Sequence, residues 1–182
     1  EKLKKLMQYF EEDTQLRDIL ITGGDSFMSS DSTLKNLLEE ILEMIKRKRG
    51  SNQALPKGKK KAEIQRIRFG TRLPAYLPQR ITEELASVLG DFKKKASEHG
   101  VHQFLIQTHF ESPMEITPEA RTAVERLIGA GWTVTNQLVF TAAASRRRHS
   151  AKLRKVMNDI GILPYYTFTV KGYMENNFSF AP

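Results

Sequence analysis

The sequence predicts an α/β domain with about five parallel strands and outer helices. Two observations carry this. Short apolar strand signals alternate with amphipathic helical stretches along all 182 residues, and the intervening crossovers are long enough to return each strand parallel to the last. Polar clusters also close four of the strands, at Thr22–Asp25, Gly70–Arg72, Thr108–His109 and Asn136–Gln137. Sites collect at the C-terminal strand ends in both an arc of a (β/α) barrel and an open doubly wound sheet. The pattern alone fits either.

The elements follow in order. Residues from about Lys2 to Glu12 read as a helix with Leu3, Leu6, Met7 and Phe10 on one face. Ile19–Ile21 is a short strand running into Gly23-Gly24-Asp25. Leu34, Leu37, Leu38, Ile41, Leu42 and Ile45 mark the clearest helix, with Asp31 or Ser32 as its expected N-cap. A second strand, Glu63–Phe69, leads to Gly70-Thr71-Arg72, and Pro74–Gln79 reads as extended. Thr82 caps a helix holding Leu85, Val88, Leu89 and Phe92, before a strand at His102–Phe110. Thr117-Pro118-Glu119 is a helix start, with a capping side chain and proline at the first helical position. Trp132–Thr141 is the fourth strand and Leu163–Val170 the fifth, separated by a helix marked by Leu153, Val156, Met157 and Ile160.

Composition bounds the function. The length suits one domain over residues 1–182 with a single substantial core, and 40% hydrophobic with 27% charged residues is ordinary for a globular chain. No apolar run approaches the roughly 18 residues of a membrane span, so no membrane partner is expected. Zero cysteines exclude disulfides and thiolate metal sites within these residues, and suit a cytoplasmic setting. Both ends read as cut, Glu1 lacking a methionine and Ala181-Pro182 following an apolar stretch. The net charge of +8 is local: eight cations and no acid lie between Lys46 and Lys61, leaving 21 basic against 21 acidic residues elsewhere. With Gly50, Ser51, Asn52, Pro56 and Gly58 among them, this basic insert reads as a flexible loop. Arg146–Arg148 with Lys152, Arg154 and Lys155 adds a second basic surface on the last helix.

Among the candidate site residues, Gly23 and Gly24 let backbone approach a ligand, or make a plain βα turn. Arg66 and Arg68 share a strand face, and with Arg72 they suit a carboxylate or phosphate; the alternative is that they neutralise acids on covering helices. His102 and His109, seven apart, face opposite ways and cannot share a metal. Asn136 and Gln137 place amides that need partners, from a ligand or from neighbouring backbone. No hydrolase triad, phosphate loop or metal-spaced cluster is present in the sequence.

Read together, these motifs resemble the lysine 2,3-aminomutase family of radical S-adenosylmethionine (SAM) enzymes. The resemblance rests on Ile19-Leu-Ile-Thr22-Gly23-Gly24-Asp25, Arg68-Phe-Gly70-Thr71-Arg72-Leu-Pro74, Leu77-Pro78-Gln79-Arg80-Ile81-Thr82, Thr108-His109-Phe110, Asn136-Gln137 and Leu163-Pro164-Tyr165-Tyr166. It covers nearly the whole chain outside Lys46–Lys61. It implies a partial (β/α) barrel of the radical SAM type, covering roughly its second to sixth strands. It also implies SAM, a [4Fe–4S] cluster and pyridoxal phosphate in a complete enzyme, which moves an amino group between adjacent carbons of an amino acid.

By similarity, SAM is met by Thr22, Gly23, Gly24, Asp25, His109 and Gln137, while Arg68, Arg72 and Lys171 are candidate substrate or cofactor contacts. The cluster cysteines would lie before Glu1 and the pyridoxal phosphate lysine after Pro182, so this stretch alone is expected to be inactive, with no metal ligands of its own. Expected partners are a small-molecule amino acid, the remainder of its own polypeptide and a second copy. The alternative is a non-catalytic module whose basic surfaces hold nucleic acid or an acidic protein.

Four departures from the family pattern stand out. Ser26 follows Gly-Gly-Asp where proline is common. Glu111-Ser112 replaces Asn-His after His109-Phe110. Ala142–Ser145 replaces Gly-Val-Asn-Asp. Lys171 stands where lysine-acting members carry an aspartate. A cation there repels a second cation by several kcal/mol at an effective dielectric of about 20, so free L-lysine is not the expected substrate.

Overall fold

The structure, a computed structural model, describes residues 1–142 and 144–169. Helix α1 (Lys2–Glu12) leads to strand β1 (Asp18–Ile21), helix α2 (Asp31–Gln53) to β2 (Arg66–Gly70), and the short α3 (Leu73–Tyr76) to α4 (Glu83–Glu98). Then come β3 (Gln103–Thr108), α5 (Pro118–Gly129), β4 (Thr133–Val139), α6 (His149–Asp159) and β5 (Leu163–Phe168). All four strand pairings are parallel and the spatial order is β1-β2-β3-β4-β5. A doubly wound sheet reverses its order at a switch point. This order never reverses, which makes the sheet an arc of a barrel.

Strand parity then divides the residues. Ile19, Ile67, Phe69, Phe104, Ile106, Val134 and Leu138 are buried, and belong to the same core as the apolar stripes of α2, α4 and α5. The centre of that core is aromatic: Trp132 lies 5.5 Å from Phe69 and 5.4 Å from Phe104 between ring centroids, and Phe27 lies 5.1 Å from Phe69. Trp132 Nε1 donates to Leu89 O at 3.1 Å, so its polar atom is satisfied. The opposite face carries three polar-rich rows set by register: Asp18–Arg66–Gln103, Leu20–Arg68–Leu105–Thr133 and Gly70–Gln107–Thr135.

The caps at Thr82 and Thr117 form as read, accepting from Leu85 N and Ala120 N. The cap of α2 is Ser30, one residue earlier than expected, its hydroxyl accepting from Thr33 N at 3.2 Å, while Asp31 pairs with Arg80 at 2.6 Å. Pro74–Gln79 is not extended. It forms α3 and a 3-10 turn at Pro78–Arg80, each with proline near its start, where a fixed φ favours helical entry. Strand β2 begins at Arg66 rather than Glu63, and Val170, the last residue of the expected fifth strand, lies outside the described residues. Arg146–Arg148 precede α6 rather than lying on it, with Arg148 at φ 68° as its N-cap. No helix among the described residues is long and apolar enough to cross a membrane.

The basic segment departs most from its reading. Residues 46–53 are the last two turns of α2, not a loop. Lys48 is 1% exposed, and its ammonium donates to Phe10 O and Asp13 O, both at 2.7 Å. These are terminal carbonyls of α1, which lack helical donors. Lys61 Nζ reaches Glu11 O at 3.3 Å, and buried Asn52 brackets Lys61 by donating to its O and accepting from its N. Burial pushes the Lys48 pKa below the usual lysine range, against the pull of Asp13. Lys46 pairs with Glu43, Arg47 with Glu11, and Arg49 donates to Glu98 O. Only Lys57, Lys59 and Lys60 of the eight cations stay exposed without a partner among the described residues.

Candidate functional site

The turn after β1 is built from two residues in left-handed backbone, Gly23 at φ 106° and Gly24 at φ 58°. A Cβ at either would meet nothing within 4 Å, so the turn presents bare backbone to open space. What holds the turn is Asp25. Its Oδ1 accepts from Phe27 N at 3.1 Å and Thr71 Oγ1 at 2.6 Å, and its Oδ2 accepts from Arg72 N at 2.6 Å. Both carboxylate oxygens are therefore used in clasping the ends of β1 and β2 together. Ser26, one of the departures, adds to the clasp by donating to Gly70 O at 2.8 Å.

Strands β3 and β4 are joined similarly. Buried Asn136 accepts from Phe110 N at 2.6 Å and donates to Phe110 O at 3.0 Å, so neighbouring backbone rather than a ligand satisfies it. His109 Nε2 rests against the Glu111 carboxylate, whose Oε1 also accepts from Val139 N at 3.1 Å. Ser112 Oγ lies 3.2 Å from His149 Nε2, so both departures after Phe110 are tied to the next strand or helix.

These four strand ends enclose a cavity of about 320 Å³, lined by Thr22, Gly24, Asp25, Gly70, Thr71, Arg72, Tyr76, Gln107, Thr108, His109 and Gln137. A wider groove of about 750 Å³ between α1 and α2 is lined by Leu3, Met7 and surface charges, away from every strand end. The C-terminal rim is the better candidate, because backbone and polar side chains from four strands converge there. Of the predicted site residues, Thr22, Gly24, Asp25, His109, Gln137 and Arg72 line this cavity, and Gly23 belongs to the same turn. Arg72 sits over the Tyr76 ring at 5.2 Å.

Arg68 lies one row deeper and is not in the lining. It is bound to Asp18 through Nε and Nη2, both at 2.9 Å, and Arg66 reaches the same carboxylate. The two arginines thus do neutralise an acid, but it comes from the adjacent strand rather than a covering helix. Lys171 lies outside the described residues. Sequence reading did not assign Thr71, Tyr76, Gln107 or Glu111 to the site; Thr71, inside the Gly70–Arg72 cluster, and Glu111, one of the departures from the family pattern, each carried a signal.

Among the described residues no group of three or more His, Cys, Asp or Glu could hold a metal ion. With no cysteine in the chain, these residues do not fit an iron–sulfur cluster, whose irons take thiolate ligands. The open glycine turn and the Gln107 amide nitrogen, which has no acceptor among the described residues, do fit a small polar ligand.

No family model matches the chain. An uncharacterised KamA family protein of Methanocaldococcus jannaschii is 38% identical over the whole chain, which covers 25% of that protein. L-lysine 2,3-aminomutase of Acetoanaerobium sticklandii is 32% identical over 89% of the chain and 33% of its own length. Glutamate 2,3-aminomutase of Clostridioides difficile is 29% identical over 93% of the chain and 34% of its own length. The chain thus spans about a quarter to a third of these relatives. With its glycine turn, clasp and polar rim on a barrel arc, and matched over 89–100% of its length by these proteins, the chain is a lysine 2,3-aminomutase-like segment, similar to part of a KamA family protein.

Proposed function

We propose that this chain is the ligand-holding arc of an aminomutase-like enzyme of the radical SAM type, acting on an amino acid other than free lysine. The observation that carries the reading is the convergence of the Thr22–Asp25 turn, His109 and Gln137 on one cavity at the C-terminal rim. In it, the exposed backbone of Gly23 and Gly24 binds the polar end of SAM, and Asp25 keeps that backbone in place through Thr71 and Arg72. His109, oriented by Glu111, and Gln137 contact the remainder of the ligand from the opposite side. SAM would supply the radical that starts the rearrangement, and pyridoxal phosphate the carrier for the migrating amino group. Thiolates for a cluster would have to come from outside these 182 residues, so this stretch holds the ligand without performing the chemistry.

The test is titration of the ¹⁵N-labelled chain with S-adenosylhomocysteine, a non-reacting analogue. Saturable shifts confined to the amides of Thr22–Asp25, Thr71, His109 and Gln137 are the expected result. Shifts confined to the α1–α2 groove, or none at millimolar ligand, would overturn it.

A further inference from the structure

Gln107 is 6% exposed and lines the rim cavity, yet its Nε2 finds no acceptor among the described residues. Its orientation is fixed by chemistry. Gln107 Oε1 faces Arg68 Nη1 at 3.4 Å, and a guanidinium only donates, so the amide oxygen must point toward Arg68 and the NH₂ away from it. Arg68 is itself locked by its two 2.9 Å contacts with Asp18. The amide donor is thereby aimed, and buried donors are rarely left unpaired.

A second observation marks the space beside it. Gly70 pairs in register with Gln107, so both positions face the same side of the sheet. A Cβ added at Gly70 would meet Thr22 Oγ1 at 3.4 Å, which places that hydroxyl across the gap the glycine leaves. Thr22 and Gln107 line the same cavity. The cation behind Gln107 is already matched, Arg68 by Asp18, while the Arg72 guanidinium lies above the Tyr76 ring.

We propose that Thr22, Gly70 and Gln107 form an oxygen subsite, in which Gln107 Nε2 donates to an uncharged oxygen of the ligand and Thr22 Oγ1 meets the same atom over Gly70. The inference rests on the proposed function and deepens it by naming the group recognised. A hydroxyl fits, since it accepts from the amide and donates to the threonine, and Arg68, the cation in contact with Gln107, is already matched by Asp18. Arg68 acts through Gln107 and is a positioning residue. The hydroxyl has two sources, the sugar of a nucleoside or the side chain of an amino acid.

The experiment follows the Gln107 side-chain NH₂ resonance, identified by its loss in Gln107→Leu, during titration with S-adenosylhomocysteine, adenosine and L-serine. A downfield shift with S-adenosylhomocysteine and adenosine assigns the hydroxyl to the sugar, and a shift with L-serine alone assigns it to an amino acid; either supports the subsite. Gln107→Leu should weaken the responding ligand roughly tenfold, as loss of one buried hydrogen bond does. Gly70→Ala should do the same by filling the gap. Its new methyl makes only ordinary contacts, so its melting temperature should match wild type even if Gln107→Leu folds poorly. If the turn amides shift while the Gln107 NH₂ does not, the subsite is wrong and the proposed function stands. If neither shifts, both are wrong.

Discussion

Replacing Lys48 tests whether the end of α2 is a structural brace for α1. Lys48→Ala removes three methylenes beyond Cβ, roughly 2.4 kcal/mol of packing at about 0.8 kcal/mol each. It also deprives Phe10 O and Asp13 O of a charged donor, each such bond contributing about 1.5–3 kcal/mol. Relief from burying an ammonium offsets several kcal/mol of that loss. The expected net loss is about 3 kcal/mol, which lowers the melting temperature by about 6–12 °C for a chain of this size. Lys48→Met keeps the stem while losing the charge and both bonds, so its loss should be nearer 1 kcal/mol. Thermal and urea unfolding of these variants beside Lys60→Ala, an exposed cation of the same segment, give the comparison. The pH dependence has a definite sign. Burial lowers the folded-state pKa, so the unfolded chain holds this proton more tightly and stability rises with pH between the folded and unfolded values. That alkaline rise should disappear in Lys48→Met. If Lys48→Ala is as mild as Lys60→Ala, the ammonium is not seated under α1 and the brace is refuted.

Asn136→Ala should cost about 2–4 kcal/mol in urea unfolding, because the buried N–H and C=O of Phe110 lose their partners together; a loss below 1 kcal/mol would mean that backbone is satisfied otherwise. Thr71→Val keeps the shape of the clasp but removes the 2.6 Å bond to Asp25, so S-adenosylhomocysteine should bind several-fold more weakly by calorimetry while the fold persists. Unchanged affinity would disconnect the clasp from the turn. The Asp13 pKa is lowered by backbone N–H donors at Gln15 and Leu16, then by the Lys48 charge, so its contribution is present above the ordinary aspartate pKa and fades as pH falls through the lower folded value. Asp13→Asn should therefore flatten the acid limb of urea midpoints measured from pH 6 to pH 2, and an unchanged limb would count against it.

Much of this architecture was readable because its signals are local. Thr82 and Thr117-Pro118 announce helix starts through bonds made within three residues, and five apolar runs between helices leave few parallel arrangements. The rim was readable too, since Gly23, Gly24, Arg72 and His109 each follow a strand and Gln137 is an amide in the C-terminal half of one. What escaped depends on partners distant in sequence. A run of cations reads as solvated surface, and nothing within residues 46–61 reveals that the end of α1 will arrive over Lys48. Gln107 is one amide in a strand; its meaning comes from a register that sets it opposite Gly70 and beside Arg68. Pro74 and Pro78 suggest extended chain in isolation, yet each starts a short helical turn, which only the structure displays.

The division between the two sheet faces has a consequence for how such a protein can change. The aromatic cluster around Trp132 lies wholly on the helix-covered side, while Arg66, Gln103, Gln107 and Thr135 project from the other in alternation along the same strands. Substitutions in the second set leave the first untouched, because neighbouring residues of a strand point to opposite sides. Selection can therefore revise what this surface recognises one row at a time, with the packing that keeps the chain folded held constant. A descendant acquiring a new ligand need not first acquire a more stable ancestor.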